Sequence, residues 1–155
     1  MQKHSSFNRR HNVAAALLIM LAAASFTFAQ QDKPKSLYDR LGGYNAISAV
    51  VEDFAPKLFN DPKVSRFFVG MSTDTKEQFK QKNKNLICFV TGGPCKVISR
   101  PAKTAHAGLG ITEDDFNVVV QHLVDTLNKF KVPDAEQKEL LDIIGSLKKD
   151  IVEKK

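Results

Sequence analysis

The spacing of apolar residues constrains this chain more than any other feature of its sequence. Between residues 37 and 151, apolar side chains return every three or four positions, which is the period of an α-helix with one buried face. Glycine and proline separate the segments that carry this period. No segment alternates apolar and polar residues convincingly over the length of a strand, and no internal repeat is found. The sequence therefore predicts an all-α fold.

The helical segments can be placed from their caps and breaks. Helices are expected at residues 37–41, across the apolar positions 47–58, from a cap within 72–75 to about residue 91, from a Thr112/Asp115 capping pair to residue 127, and across 140–151. Pro56 lacks a backbone N–H, so it is expected to kink the second helix or to end it early. Residues 60–62 predict a turn, and 64–68 form a short apolar piece. Residues 95–110 carry only weak signals.

The first 29 residues have the pattern of a secretory signal peptide. A basic start that includes Arg9 and Arg10 is followed by an uncharged apolar run that ends near Phe28. Thr27 and Ala29 are small residues at the −3 and −1 positions of a cleavage site. The alternative is an uncleaved membrane anchor, but the run is short for a span of about 20 residues. We therefore expect an exported protein, periplasmic or extracellular.

Removal of residues 1–29 leaves a polar leader, 30–35, and one domain, 36–155. The removed segment holds three of the 23 basic residues and none of the 17 acidic ones, so the remaining chain has a net charge of only +3. Its lysines are dispersed and form no basic patch with exposed aromatic residues, which argues against nucleic acid as a partner. Contact with a membrane is expected only through an uncleaved signal.

Cys88 and Cys95 are the only two cysteines of the chain. In an oxidising compartment such a pair is expected first to form a disulfide, and free thiols are the alternative. The intervening Gly92-Gly93-Pro94 allows the chain to turn back. Two cysteines without two nearby histidines make a poor zinc site.

The third predicted helix has a polar residue on its apolar side. Phe79, Leu86 and Val90 share one face, and Asn83 lies within the same stripe, with Lys82 at its edge. An asparagine there is costly unless its amide has a partner. It is either bonded to backbone or water, or directed into a pocket, and spacing alone leaves both open.

Only two histidines follow the signal segment. His122 lies well off the apolar face of its helix and is expected at the rim or surface, whereas His106 lies among small residues in a weakly structured stretch. A lone histidine is usually a surface residue, but small neighbours would let a large flat group approach. Haem iron needs only one protein imidazole on one side, whereas catalytic zinc needs three protein ligands.

Four short motifs occur in order across the helical domain. They are Leu37-Tyr38-Asp39-Arg40-Leu41-Gly42-Gly43, Phe67-Phe68, Thr91-Gly92-Gly93-Pro94 and Ala105-His106-Ala107-Gly108-Leu109-Gly110-Ile111-Thr112. In this order and spacing they closely resemble the group I truncated haemoglobins, and the match covers about residues 36–152. The resemblance implies a truncated globin-like, two-over-two helical sandwich around haem b.

The resemblance also implies roles for particular residues. His106 corresponds to the proximal iron ligand, Phe68 to the phenylalanine that stacks on the haem, and Phe54 to an apolar wall residue. The cofactor-binding set on the third helix is Phe79 and Asn83 at the two distal positions, Lys82 where some relatives supply a sixth iron ligand, and Leu86 from the same stripe.

One departure from the family bears on function. Many members have a tyrosine directly after the Phe54 position, whose hydroxyl bonds bound oxygen, but this chain has Ala55. The expected function is reversible binding of oxygen, nitric oxide or carbon monoxide at an iron held by His106. The alternatives are a haem enzyme, such as a nitric oxide dioxygenase or peroxidase that needs an external electron donor, and a haem-free helical interaction protein. Ala55 argues against the enzyme.

Overall fold

A computed structural model describes residues 33–154 of the chain, and these residues form seven α-helices. They are α1 (Leu37–Arg40), α2 (Gly43–Asn60), α3 (Thr73–Val90), α4 (Ala102–His106), α5 (Glu113–Lys129), α6 (Asp134–Ser146) and α7 (Lys148–Ile151). A 3-10 turn, Ser65–Phe68, lies between α2 and α3. The predicted signal peptide and the first part of the polar leader lie outside the described residues; Lys33, Pro34 and Lys35 are exposed and have no regular structure.

The helices begin at side-chain caps that the sequence contains. The hydroxyl of Ser36 accepts from the amide of Asp39 in a capping box before α1, and Ser72 accepts from Thr75 before α3. A second capping box, between Thr112 and Asp115, starts α5. The all-α prediction and these three helix starts are confirmed.

Helix α2 continues through Pro56 to Asn60, so of the two effects expected of this proline, a kink or an early end, the early end does not occur. The amide side chain of Asn60 donates to the carbonyl oxygen of Pro56 at 2.8 Å, which gives one carbonyl of the last turn a partner. Leu58 beyond the proline is buried, and this packing compensates for the missing backbone donor.

Two pairs of helices form the two-over-two arrangement. Helix α2 packs against α3 and α5, and α5 packs against α6. The buried core between them is built from the apolar stripes of these helices, with Leu37 from α1 and Val64 from the connection: Leu37, Ile47, Val50, Val51, Phe54, Leu58, Val64, Ile87, Cys88, Leu123, Leu127 and Leu140. The amide of Tyr38 also donates to the carbonyl of Thr91, 2.8 Å away, which joins α1 to the end of α3.

Two features differ from the sequence prediction. The last predicted helix is divided into α6 and α7, because the amide of Leu147 turns back to the carbonyls of Ile144 and Gly145 after two weak helix formers, Gly145 and Ser146. Helix α4 arises within a segment that carries no strong helix signal. No helix within residues 33–154 is both long and apolar enough to cross a membrane.

Candidate functional site

The ring of His106 is oriented by its own helix. His106 is the last residue of α4, and its Nδ1 lies 2.7 Å from the carbonyl oxygen of Ala102, one turn earlier. Because a carbonyl oxygen can only accept, the hydrogen of the neutral ring lies on Nδ1 and Nε2 keeps its lone pair. The ring is half-buried, and its Nε2 has no protein partner among the described residues. Metal-ligating histidines commonly have their second nitrogen bonded to a backbone carbonyl or carboxylate, so this geometry is compatible with a metal at Nε2.

Three phenylalanines meet where α2, the 3-10 turn and α3 come together. Phe59 contacts Phe68 and Phe79 edge-to-face, with ring centroids 5.1 and 5.6 Å apart, and Phe68 contacts Phe79 at 5.3 Å. The ammonium group of Lys76 lies 5.2 Å from the centroid of Phe59. We call Phe59, Phe68 and Phe79 the aromatic cluster. The structure thus joins two predicted site residues, Phe68 and Phe79, through a third, Phe59, that the sequence analysis did not name.

The remaining predicted residues of α2 and α3 occupy different environments. Phe54 is buried in the core, Leu86 and Asn83 are half-buried, and Lys82 is exposed. The side-chain amide of Asn83 donates to the carbonyl oxygen of Phe79 at 2.8 Å. The sequence left open whether the Asn83 amide is bonded to backbone or water, or is directed into a pocket. The structure shows a backbone partner for one of its two N–H groups.

The segment that leads into the 3-10 turn carrying Phe68 is held by Asp61. The Asp61 carboxylate accepts from the amides of Lys63 and Val64, at 2.8 and 3.1 Å, and its other oxygen lies 2.8 Å from Nε2 of His122. These contacts, the one with His122 foremost, hold the pKa of the Asp61 carboxyl below its ordinary value. Of the rim and surface positions expected for His122, the structure shows a half-buried one, where the ring is a partner of this turn.

Helix α3 is fixed against α2 by charge on its outer side. Glu52 of α2 accepts from Lys80 at 2.7 Å and from Lys84 at 2.5 Å. The hydrogen bonds from the two lysines hold the pKa of the Glu52 carboxyl below its ordinary value, and Glu52 together with Glu77 raises the pKa of Lys80. These pairs orient α3 about its axis.

Cys88 and Cys95 form a disulfide that closes a short loop after α3. Cys88 is completely buried in the core. Gly93 lies against this bond, and a Cβ at Gly93 would come 2.7 Å from Sγ of Cys88 and 2.5 Å from the ring of Tyr38. Only glycine therefore fits at this point of the predicted turn, and the disulfide prediction is confirmed.

His106 stands apart from the helices of the distal side. Helix α4 packs chiefly against α7, whereas α3 packs against α2. Within residues 33–154, no hydrogen bond or ring contact joins His106 to the aromatic cluster or to Asn83. Glu153, which no sequence motif indicated, binds the backbone just after His106 through its carboxylate.

The residues present fit a haem group. Within the described part of the chain, no three His, Cys, Asp or Glu side chains converge as a metal site, so a metal that His106 binds must bring most of its own ligands, as porphyrin iron does. Ile98 and Leu109 on either side of α4 expose 89% and 46% of their surface, although such apolar side chains are usually covered. An apolar porphyrin would cover surface of this kind.

The chain is similar to known globins over most of its length. The model of the bacterial-like globin family matches residues 36–153. A group 1 truncated haemoglobin, GlbN, of Mycolicibacterium paratuberculosis is 35% identical over 119 residues, 77% of this chain and 85% of the relative. A group 1 truncated haemoglobin of Tetrahymena pyriformis is 32% identical over 123 residues, 79% of this chain and 99% of the relative.

Solved structures agree as well. The crystal structure of the Tetrahymena pyriformis truncated haemoglobin in its Fe(III) form aligns with a TM-score of 0.71 at 28% identity, over 76% of this chain and 98% of that one. The 2/2 haemoglobin of a Synechococcus species, solved in the cyanomet state with covalently attached haem, aligns with a TM-score of 0.69 at 31% identity over the same shares. The chain therefore belongs to the bacterial-like globin family and has the two-over-two fold of the truncated haemoglobins, a fold that binds haem.

Proposed function

We propose that this protein binds haem b through Nε2 of His106 and reversibly takes up a diatomic gas (oxygen, nitric oxide or carbon monoxide) on the ferrous iron. The observation that carries the proposal is the 2.7 Å contact between Nδ1 of His106 and the carbonyl oxygen of Ala102. This contact leaves the lone pair of Nε2 available to bind iron. When bound, the haem would supply an iron with one coordination position left for the gas.

The apolar side chains would bind the porphyrin and exclude water. Phe68 and Phe79 present ring edges and faces in the aromatic cluster, and Phe54 and Leu86 supply apolar surface on the two neighbouring helices. Burial of a macrocycle against such side chains is driven by the apolar area removed from water. Exclusion of water would also slow oxidation of the ferrous iron. An external electron donor would return oxidised iron to the ferrous state.

The side chains near the distal positions offer few hydrogen-bond donors for bound oxygen. Ala55 is completely buried and has no hydroxyl, and one N–H of Asn83 is committed to the carbonyl of Phe79. Weak polar stabilisation favours a readily released gas. It also disfavours the dioxygenase and peroxidase alternatives, since these require a long-lived oxygen complex or a distal acid–base group.

The proposal is tested with His106→Gly and, as the matched control, His122→Gln, each compared with the unsubstituted protein after addition of haem. We expect His106→Gly to weaken haem binding by about tenfold or more and to lose the visible spectrum of histidine-ligated ferrous haem. Free imidazole should restore that spectrum by occupying the vacated space. His122→Gln removes the contact with Asp61 but leaves His106 in place, so it should keep the spectrum of histidine-ligated ferrous haem. Full haem affinity and an unchanged spectrum in His106→Gly would contradict the proposal.

We further propose that the protein is exported to the periplasm or the cell exterior and acts there. The signal pattern of residues 1–29 and the bonded pair Cys88–Cys95 support this location, because disulfides persist in oxidising compartments. Mass spectrometry of protein from its native host should show a chain that begins at Gln30. A cytoplasmic protein that retains Met1 and reduced thiols would contradict the proposal.

A further inference from the structure

Glu153, close to the C-terminus, binds the turn that directly follows His106. Its two carboxylate oxygens accept from the backbone amides of Gly108 and Gly110, each at 2.6 Å. These two hydrogen bonds hold the pKa of the Glu153 carboxyl below its ordinary value, so the group is an anion at neutral pH. Hydrogen bonds to an ionised acceptor are about twice as strong as neutral ones.

Helix α4 has little else to fix its position. It spans five residues, none of them is buried, and its N-cap is Pro101, which makes no side-chain capping bond. A helix of this length is unstable without external contacts. Its main packing partner is α7, the helix that leads directly to Glu153.

The backbone around Glu153 is itself anchored, so its carboxylate has a defined position. The amides of Glu153 and Lys154 donate to the carbonyl of Ile111, at 2.9 and 3.2 Å, and the carbonyl of Lys154 accepts from the amide of Glu113 at 3.3 Å. A parallel bridge pairs Thr112 with Lys154. The Ile111 side chain is buried, so the segment at 111–113 connects the tail to the start of α5.

We propose that Glu153 is a positioning residue for the His106 imidazole: it fixes the turn 107–110 and, through that turn, the end of α4 that presents the ring. This inference rests on the proposed function of His106 as haem-iron ligand. Gly108 and Gly110 suit this role because both have positive φ, 81° and 65°, which directs their amides to one carboxylate at no steric cost to the backbone.

The first test requires no haem and follows amide hydrogen exchange in the full chain. In the unsubstituted protein, the amides of Gly108 and Gly110 should exchange slowly. Glu153→Gln replaces one acceptor oxygen by an NH₂ group and removes the charge, so we expect both amides to exchange about tenfold faster. Glu153→Asp keeps the charge and should give an intermediate rate. Asp142→Asn, which removes an exposed carboxylate paired with Lys138, is the control for charge and should leave both amides unchanged.

The second test uses the haem-loaded protein and the iron–histidine stretching band of the ferrous form in resonance Raman spectra. We expect Glu153→Gln to shift or broaden this band and to speed haem loss by about tenfold. Glu153→Asp should have a smaller effect on both the band and the rate of haem loss. Asp142→Asn should leave both unchanged. Helical circular dichroism equal to that of the unsubstituted protein shows that a variant is folded. If Glu153→Gln unfolds, the test rests on Glu153→Asp and on the exchange rates of the Gly108 and Gly110 amides in the unsubstituted protein.

The outcomes separate the two proposals. An iron–histidine band in the unsubstituted protein that is unaltered in both Glu153 variants would overturn the positioning role and leave the haem proposal standing. Rapid exchange of the Gly108 and Gly110 amides in the unsubstituted protein would overturn the positioning role as well. Absence of any iron–histidine band in the unsubstituted protein would instead refute the proposed function of His106, even where the amides are protected.

Discussion

Arg66 and Asp115 join the turn on the distal side of the molecule to the start of α5, with the guanidinium Nη2 2.6 Å from the carboxylate Oδ2. Asp115 also accepts from the amide and hydroxyl of Thr112, so one almost fully buried carboxylate caps a helix and holds a neighbouring turn. The guanidinium of Arg66 lies 4.4 Å from the centroid of Phe67, next to Phe68. The position of Phe68 therefore depends on α5.

Replacement of Asp115 by asparagine should destabilise the fold. The change removes the charge of the capping box and weakens the bond to Arg66, and loss of a charged hydrogen bond at a buried site costs about 1–3 kcal/mol. The free energy of unfolding in urea at pH 7 measures the loss. Asp114→Asn is the control, because Asp114 is exposed and its pair with Lys63 is long, 3.6 Å, so its effect should stay below about 0.5 kcal/mol.

The contribution of Asp115 should depend on pH. Burial acts to raise the pKa of its carboxyl, but the hydrogen bonds from Thr112 and Arg66 outweigh burial and hold the pKa below its ordinary value. A lowered folded-state pKa stabilises the protein above the unfolded value of about 3.9, and this stabilisation is lost as pH falls through the folded pKa. The stability difference between the unsubstituted protein and Asp115→Asn should therefore be full at pH 6 and shrink below about pH 4; a constant difference across urea titrations would contradict this.

Reduction of the Cys88–Cys95 disulfide should lower stability. Closure of a short loop restricts the unfolded chain, and the expected contribution is about 2 kcal/mol. Urea unfolding with and without a dithiol reductant measures it. The double variant Cys88→Ala/Cys95→Ala should be insensitive to the reductant, and equal midpoints for the oxidised and reduced unsubstituted protein would rule out a stabilising role.

Phe59 and Phe79 should be energetically coupled. Their rings meet edge-to-face at 5.6 Å, and such pairs contribute about 0.5–1.5 kcal/mol beyond burial. A double-mutant cycle with Phe59→Leu and Phe79→Leu, measured by urea unfolding, isolates this term. A coupling of zero would show that the two rings act independently. Phe116, buried but outside the aromatic cluster, provides the control pair with Phe59.

Asn83→Ala should speed oxygen release only modestly. One N–H of the Asn83 amide already has a backbone acceptor, so at most one remains for a bound gas. We expect the oxygen dissociation rate to rise by less than about tenfold, the equivalent of one ordinary hydrogen bond. Stopped-flow displacement of oxygen by carbon monoxide measures the rate, with Gln78→Ala, exposed on the same helix and outside the cofactor-binding set, as control. A rise of a hundredfold or more would show that Asn83 is the dominant donor.

The sequence predicts those parts of the molecule whose causes are local. Helix α5 could be placed because the Thr112/Asp115 capping pair and an apolar stripe lie within a few residues of each other. The disulfide could be anticipated because a pair of cysteines in a chain expected to be exported is expected to be oxidised. The match of the family model over residues 36–153 confirms that the four motifs were sufficient to identify the family.

Features that depend on distant parts of the chain could not be predicted in this way. Helix α4 has no buried residue and no side-chain cap, so it leaves no pattern. Its support comes from Glu153, 45 residues beyond Gly108 in the following turn. Phe59 belongs to none of the sequence motifs, and only the folded positions of Phe68 and Phe79 reveal its role. The partner of His122, Asp61, is likewise 61 residues away.

The bond between Cys88 and Cys95 also limits how far apart two parts of the molecule can move. Because Cys95 is tied to the last turn of α3, only residues 96–101 remain to reach α4, which carries His106. Six residues and their flanking links extend to roughly 25 Å at most, at about 3.5 Å per residue. Without the bond the connecting chain from the end of α3 would be about twice as long. The disulfide therefore limits how far α3 and α4 can separate, and so limits the width of any opening between them.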